Sequence, residues 1–175
     1  PGLNEQVMGV CARDGDSGFL AYSFGSPGTL WHHDGGVGND AVQIGVLGSS
    51  PEKLRCLDEI AVVVDDSDDT CTVITWSAGG VVSIAGSFAT GEHPEGCDLM
   101  LLASGNYGCI VPGRHDQTVT VAEITPAGAV LSTSTIDMPI DCGSPPDATW
   151  LRNGTTDFLV TCLSGSNVFV MPSGL

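Results

Sequence analysis

The segment CDLMLLASGNYGC, residues 97–109, joins an apolar run, Leu99 to Leu102, to a turn signal at Ser104-Gly105-Asn106, and a second apolar run, Cys109-Ile110-Val111, begins at its end. Two short apolar runs flanking a Gly/Asn turn read as a β-hairpin. Each arm carries a cysteine. The plan recurs twice. Cys142 and Cys162 bracket a segment centred on Arg152-Asn153-Gly154, and Cys56 and Cys71 bracket one whose turn is the acidic run Asp65 to Asp69. This placement predicts three disulfides within hairpins, 56–71, 97–109 and 142–162. Cys11 is then the odd cysteine, either a buried free thiol or bonded to another chain.

The rest of the chain reads as further short strands. Gln6 to Cys11, Phe19 to Phe24, Thr29 to His32, Ala41 to Leu47, Ile60 to Val64, Cys71 to Trp76, Val81 to Phe88, Thr118 to Ile124, Val130 to Ile136 and Val168 to Met171 are apolar or alternating, with Gly, Pro, Asp or Ser turns between them. One helix-start signal stands out, Ser49-Ser50-Pro51-Glu52, with a capping serine and a proline at the first turn.

Cys56, Cys97 and Cys142 are spaced by 41 and 45 residues, and Thr72-Val73 with Gly80 matches Thr120-Val121 with Gly128. Pro126-Ala-Gly128 likewise matches Pro172-Ser-Gly174. A period of this length, filled by three or four short strands, is the mark of a propeller-like or stacked antiparallel β array. The expected fold is all-β, one domain of three to four units over about 1–48, 49–95, 96–140 and 141–175. A β-sandwich with regular turns is the alternative. In this frame Cys11 stands as a second-arm cysteine, so both ends look cut mid-unit. They would complete one unit together, or a neighbouring chain would add a strand to an exposed edge.

Composition narrows the setting. The chain has 175 residues, five Lys and Arg against 21 Asp and Glu, and a formal net charge of -16. That balance argues against nucleic acid and anionic membrane surfaces. No window approaches the length of a membrane span. Seven cysteines without a C-x-x-C pair favour disulfides and an oxidising, extracellular setting over a zinc ribbon. The absence of an initiator Met reads as a processed or excised chain. Asn153-Gly-Thr155 is a glycosylation sequon on an expected hairpin tip.

Candidate chemistry is sparse. Cys11-Ala-Arg-Asp-Gly-Asp16-Ser17-Gly18 resembles the nucleophile segment of chymotrypsin-like serine proteases, which implies Ser17 as nucleophile. Phe19 departs from that pattern, and too little chain precedes Ser17 to supply the histidine and aspartate. A turn is the favoured reading. His32-His33-Asp34 with His93 or His115 is a metal candidate, but adjacent strand residues point to opposite faces. Asp65, Asp66, Asp68 and Asp69, and Asp14 with Asp16, are calcium-loop candidates that lack the EF-hand spacing. Trp31, Trp76 and Trp150 are expected in cores, with a carbohydrate platform as the alternative. Together these readings give a secreted structural or adhesive module, not an enzyme, without a required cofactor, partnered by a second copy or another extracellular protein. A calcium- or glycan-binding module is the runner-up, and a Ser17 hydrolase the remote one.

Overall fold

The computed structural model describes residues 7–12, 18–36, 41–77, 80–139, 146–152, 154–162 and 167–175. These form fifteen strands and no helix. Four antiparallel sheets follow one another along the chain. The first holds β1 (Val7–Ala12), β2 (Phe19–Ser23), β3 (Thr29–His33) and β4 (Val42–Val46). The second holds β5 (Pro51–Leu57), β6 (Ile60–Asp65), β7 (Thr70–Trp76) and β8 (Val82–Ala89). The third holds β9 (Asp98–Leu101), β10 (Tyr107–Pro112), β11 (Thr118–Ile124) and β12 (Val130–Asp137). The fourth holds β13 (Pro146–Trp150), β14 (Asp157–Cys162) and β15 (Asn167–Pro172). In every sheet the strands lie side by side in chain order. Each sheet is one blade of the expected array.

Three apolar clusters lie between successive blades. Leu20, Tyr22 and Leu30 of the first blade meet Ala61, Val63, Ile74 and Trp76 of the second. Ile60, Val62, Val64 and Val73, on the opposite face of the second blade, meet Tyr107, Cys109, Val111 and Ile124 of the third. Ile110, Val119 and Val121 of the third then meet Trp150, Phe158 and Val160 of the fourth. A strand covered on both faces has no use for alternation. This is why β6 reads Ile-Ala-Val-Val-Val and is buried throughout, as is β10. Each fully buried valine there contributes roughly 1.5–3 kcal/mol over its exposed state. The outermost strands β8 and β12 are mostly exposed, and their sequences are rich in Ser, Thr, Gly and Ala.

The repeat shows in the turns. A glycine with positive φ follows the third strand of every blade: Gly35, Gly80, Gly128 and Gly174, at 79°, 75°, 81° and 76°. In the third blade the Thr125 hydroxyl accepts from the Ala129 N–H at 3.0 Å, and in the second the Ser77 hydroxyl accepts from Val81 at 3.2 Å. At Gly128 a side chain would be strained, and a Cβ would lie 2.8 Å from Thr75 Cγ2.

Three expectations need correction. The helix start at Ser49–Glu52 is instead the entry to β5, because Lys53 to Leu57 pair with Ile60 to Val64. Non-local pairing overrides a local capping signal. The cysteine pairing also differs. Cys11 is bonded to Cys56, while Cys71, Cys97 and Cys109 are buried thiols. Cys56 lies on β5 and Cys71 on β7, with β6 between them, so those two cannot face each other across one hairpin. The 97–109 hairpin forms, but its register sets Cys109 opposite Leu99, two residues beyond Cys97. A diagonal offset of roughly 7–8 Å exceeds the usual disulfide span. Cys162 is disulfide-bonded, and its expected partner Cys142 lies outside the described residues. Finally, Cys11 is no second-arm cysteine. It sits on the first strand of its blade, as Cys56 does, and that blade already has four strands.

Candidate binding site at the innermost strands

The first strand of each blade is its innermost. β1 packs on β5, β5 on β9 and β9 on β13, with no comparable packing of β13 on β1 among the described residues. A cavity of about 260 Å³ opens beside this row, lined by Arg55, Asp98, Asp147, Ala148, Thr149 and Thr161. Strand alternation explains the lining. On β5, Leu54 and Cys56 pack with the cluster between the first two blades, which sends Lys53 and Arg55 to the other face. On β13, Ala148 and Trp150 go to the cluster shared with the third blade, which leaves Asp147 and Thr149 on the opposite side. Gly96, just before β9, lets the chain pass close to β13, where a Cβ would lie 2.7 Å from the Pro146 carbonyl oxygen.

The polar groups are unequally committed. Lys53 Nζ donates to Asp147 Oδ2 at 3.0 Å, and the Ala148 N–H donates to Asp147 Oδ1 at 3.0 Å. Thr161 Oγ1 donates to the Asp147 carbonyl at 3.3 Å. Asp98 Oδ2 accepts from Thr149 Oγ1 and the Trp150 N–H, both at 3.0 Å, which ties the third blade to the fourth. Arg55 makes no ion pair among the described residues. In a chain of net charge -16 with five Lys and Arg, a half-buried guanidinium left unpaired beside a cavity is a ready acceptor site for an anionic group. Beneath the site lies the buried Cys97 thiol, pushed well up by burial and by neighbouring Cys109.

The residues singled out from sequence sit elsewhere. Asp65 is buried and accepts the Ser50 and Asp68 N–H groups, each at 3.0 Å. Asp68 accepts from the Ser49 N–H at 3.0 Å, Asp69 from the His93 N–H at 2.8 Å, and Asp66 meets His93 Nδ1 at 3.0 Å. The acidic turn thus clamps neighbouring loops, and no group of three metal-ligating side chains is poised to hold an ion among the described residues. His32 packs edge-on to Trp76, His33 stacks on Phe19, and His93 packs on His115. Trp76 and Trp150 are buried, as expected of core residues. Ser17, Asp14, Asp16 and Asn153 lie outside the described residues. Arg55, Asp98, Thr149 and Thr161 were not candidates in the sequence reading. The available signal was the pair Lys53 and Arg55, two of five cations at strand spacing in an acidic chain.

No protein-family model matches the chain, and no curated protein sequence matches it. Solved structures do. A putative 6-phosphogluconolactonase from Bacteroides fragilis aligns at TM-score 0.69 and 16% identity, covering 100% of this chain and 55% of that one. The β-propeller domain of Cps50 (Swd1) from Myceliophteria thermophila aligns at 0.65 and 10%, covering 95% and 54%. The fold is a β-propeller fold. The periplasmic gluconolactonase of Pseudomonas aeruginosa aligns at 0.59 and 12%, covering 97% and 43%. This chain therefore spans about half the length of these propellers. The expectation that the chain is not an enzyme is corrected here, since proteins named as lactonases share its fold. Among the described residues, no helix is long and apolar enough to cross a membrane.

Proposed function

We propose that the cavity at the innermost strands binds a small polyhydroxylated anion or its cyclic ester, and that the reaction it serves is hydrolysis of that ring. The observation that carries this reading is the uncommitted Arg55 guanidinium facing Asp98, Asp147, Thr149 and Thr161 across about 260 Å³. A guanidinium holds a carboxylate or a developing oxyanion, while carboxylates and threonine hydroxyls pair with sugar hydroxyls. Asp98 is held by two donors and acts as a fixed acceptor. Asp147, half-exposed beside Lys53, is placed to take a proton from water. Water adds to the ring carbonyl carbon, the ring C–O bond breaks, and the proton held by Asp147 goes to the departing ring oxygen, leaving a hydroxy acid. The lactonase names among the similar propellers support the reaction class.

The test is acid release from a six-carbon aldonolactone, with calorimetric binding of the corresponding aldonate. The expected result is turnover above the buffer rate that falls at least tenfold in Arg55→Ala and Asp147→Asn. Aldonate binding that depends on Arg55 without any turnover would keep the binding site and remove the hydrolase. Neither binding nor turnover would remove both.

The Cys11–Cys56 disulfide supports a second, compatible reading, that the chain works in an oxidising extracellular or periplasmic compartment. Expression with and without disulfide-forming machinery, followed by thiol counting, tests it.

A further inference from the structure

The cavity at the innermost strands is rich in acceptors and poor in donors. Thr149 Oγ1 donates to Asp98 Oδ2 at 3.0 Å, and Thr161 Oγ1 donates to the Asp147 carbonyl at 3.3 Å. Both hydroxyl protons are therefore spent on the protein, while the hydroxyl oxygens still accept. Lys53 Nζ is spent too, on Asp147 Oδ2 at 3.0 Å. Arg55 is the one cation in the lining, and it makes no ion pair among the described residues. Asp98 is held in place by two donors from β13, Thr149 Oγ1 and the Trp150 N–H, both on its Oδ2. Among the described residues nothing donates to its Oδ1.

We propose that the site selects sugar acids and lactones carrying at most one negative charge, with Asp98 as the residue that turns away phosphate esters; this selectivity rests on the binding reading above. Sugar hydroxyls donate, and Asp98 Oδ1 and the threonine oxygens accept from them. A phosphate monoester offers only acceptor oxygens and brings a charge of about −1.5 to −2 at neutral pH. Sites that hold such a group supply several cations, a helix N-terminus or a nest of backbone N–H groups. Here one guanidinium shares the lining with a fixed carboxylate. At about 260 Å³ the cavity falls just below the roughly 300–1,000 Å³ of drug-sized sites. A ligand with one anionic group on Arg55 then has little room to hold a second anion clear of Asp98. Repulsion at such short range is screened less by salt than the field of the whole acidic chain.

The experiment is calorimetric titration of the 175-residue chain with a six-carbon aldonate and with its 6-phosphate ester. The wild type is expected to bind the aldonate at least tenfold more tightly than the ester. In Asp98→Asn the side-chain carbonyl keeps an acceptor for Thr149 and Trp150, while the amide supplies a donor. That variant should narrow the ratio at least threefold. Asp137→Asn removes the same unit of charge from β12, the outermost strand of the third blade, and should leave the ratio unchanged. It separates local repulsion from the net charge of -16. An ester that binds the wild type as tightly as the aldonate overturns the selectivity and leaves the binding site standing. So does a ratio that Asp98→Asn does not move, or that both variants move alike. Binding of neither anion removes the site, and the selectivity with it.

Discussion

Lys53 on β5 and Asp147 on β13 meet at 3.0 Å, linking the second and fourth blades at the row of innermost strands. Their side chains are 28% and 47% exposed, so solvent screens the pair. Such a contact contributes at most about 1 kcal/mol. Lys53→Met is therefore expected to lower the unfolding free energy obtained from urea titration by less than that. A loss above about 2 kcal/mol would show that the pair behaves as a buried one.

Cys11 and Cys56 close a loop with a sequence separation of 45. Restricting the unfolded chain over that length is worth about 4 kcal/mol in the chain-entropy account. The double variant Cys11→Ser with Cys56→Ser should lose stability of that order in denaturant unfolding. Peptide mapping under non-reducing conditions should return a Cys11–Cys56 linked peptide, with Cys71, Cys97 and Cys109 alkylated only after unfolding. Recovery of a 56–71 or 97–109 link would refute this connectivity.

Burial pushes the Asp65 carboxyl above the usual carboxylate range. Burial also raises Glu52, helped by Asp66, Glu95 and Asp65 nearby. A carboxyl that titrates higher in the folded chain than in the unfolded one leaves the folded state holding more protons between the two values. Stability then falls as pH rises through that window and returns on acidification. Relief of the net charge of -16 acts in the same direction. The melting temperature should rise as pH is lowered from 7 into the window just above the usual carboxylate range. A steady fall over that interval would contradict the assignment.

Both tyrosines are buried. Tyr22 donates to the Glu52 carbonyl, and burial, with Glu52 and Cys97 adding, pushes its phenol up to about 12. Tyr107 is raised too, by burial first and then by its hydrogen bond to Glu59. A raised phenol supports the fold fully below the ordinary value near 10, and that support is lost as pH climbs through the folded value. The tyrosinate absorbance band should therefore appear together with unfolding. Two tyrosines ionising near pH 10 in an intact fold would be the contrary result.

Much of the architecture was legible in residue order. Runs such as Ile60 to Val64, turns such as Thr125-Pro-Ala-Gly128 and the recurring Gly80 and Gly128 are local signals, and each falls where the folded chain has a strand or turn. The site was not legible. Lys53 and Arg55 acquire meaning only beside Asp147 and Thr161, which lie about one hundred residues away and two blades on. The cysteine error has the same origin. Regular spacing correctly marked the repeat, but Cys11 and Cys56 occupy equivalent places in successive blades, and only blade-on-blade packing brings such places together.

Residue order alone was sufficient for strand character, turn chemistry and the beat of the repeat, because backbone preference and side-chain alternation act over a few neighbours. Which strand faces which, which thiol meets which, and which cation lines the cavity were settled by the stacking of blades. That stacking is a non-local balance of apolar burial, and it decides where a charge can sit beside a cavity.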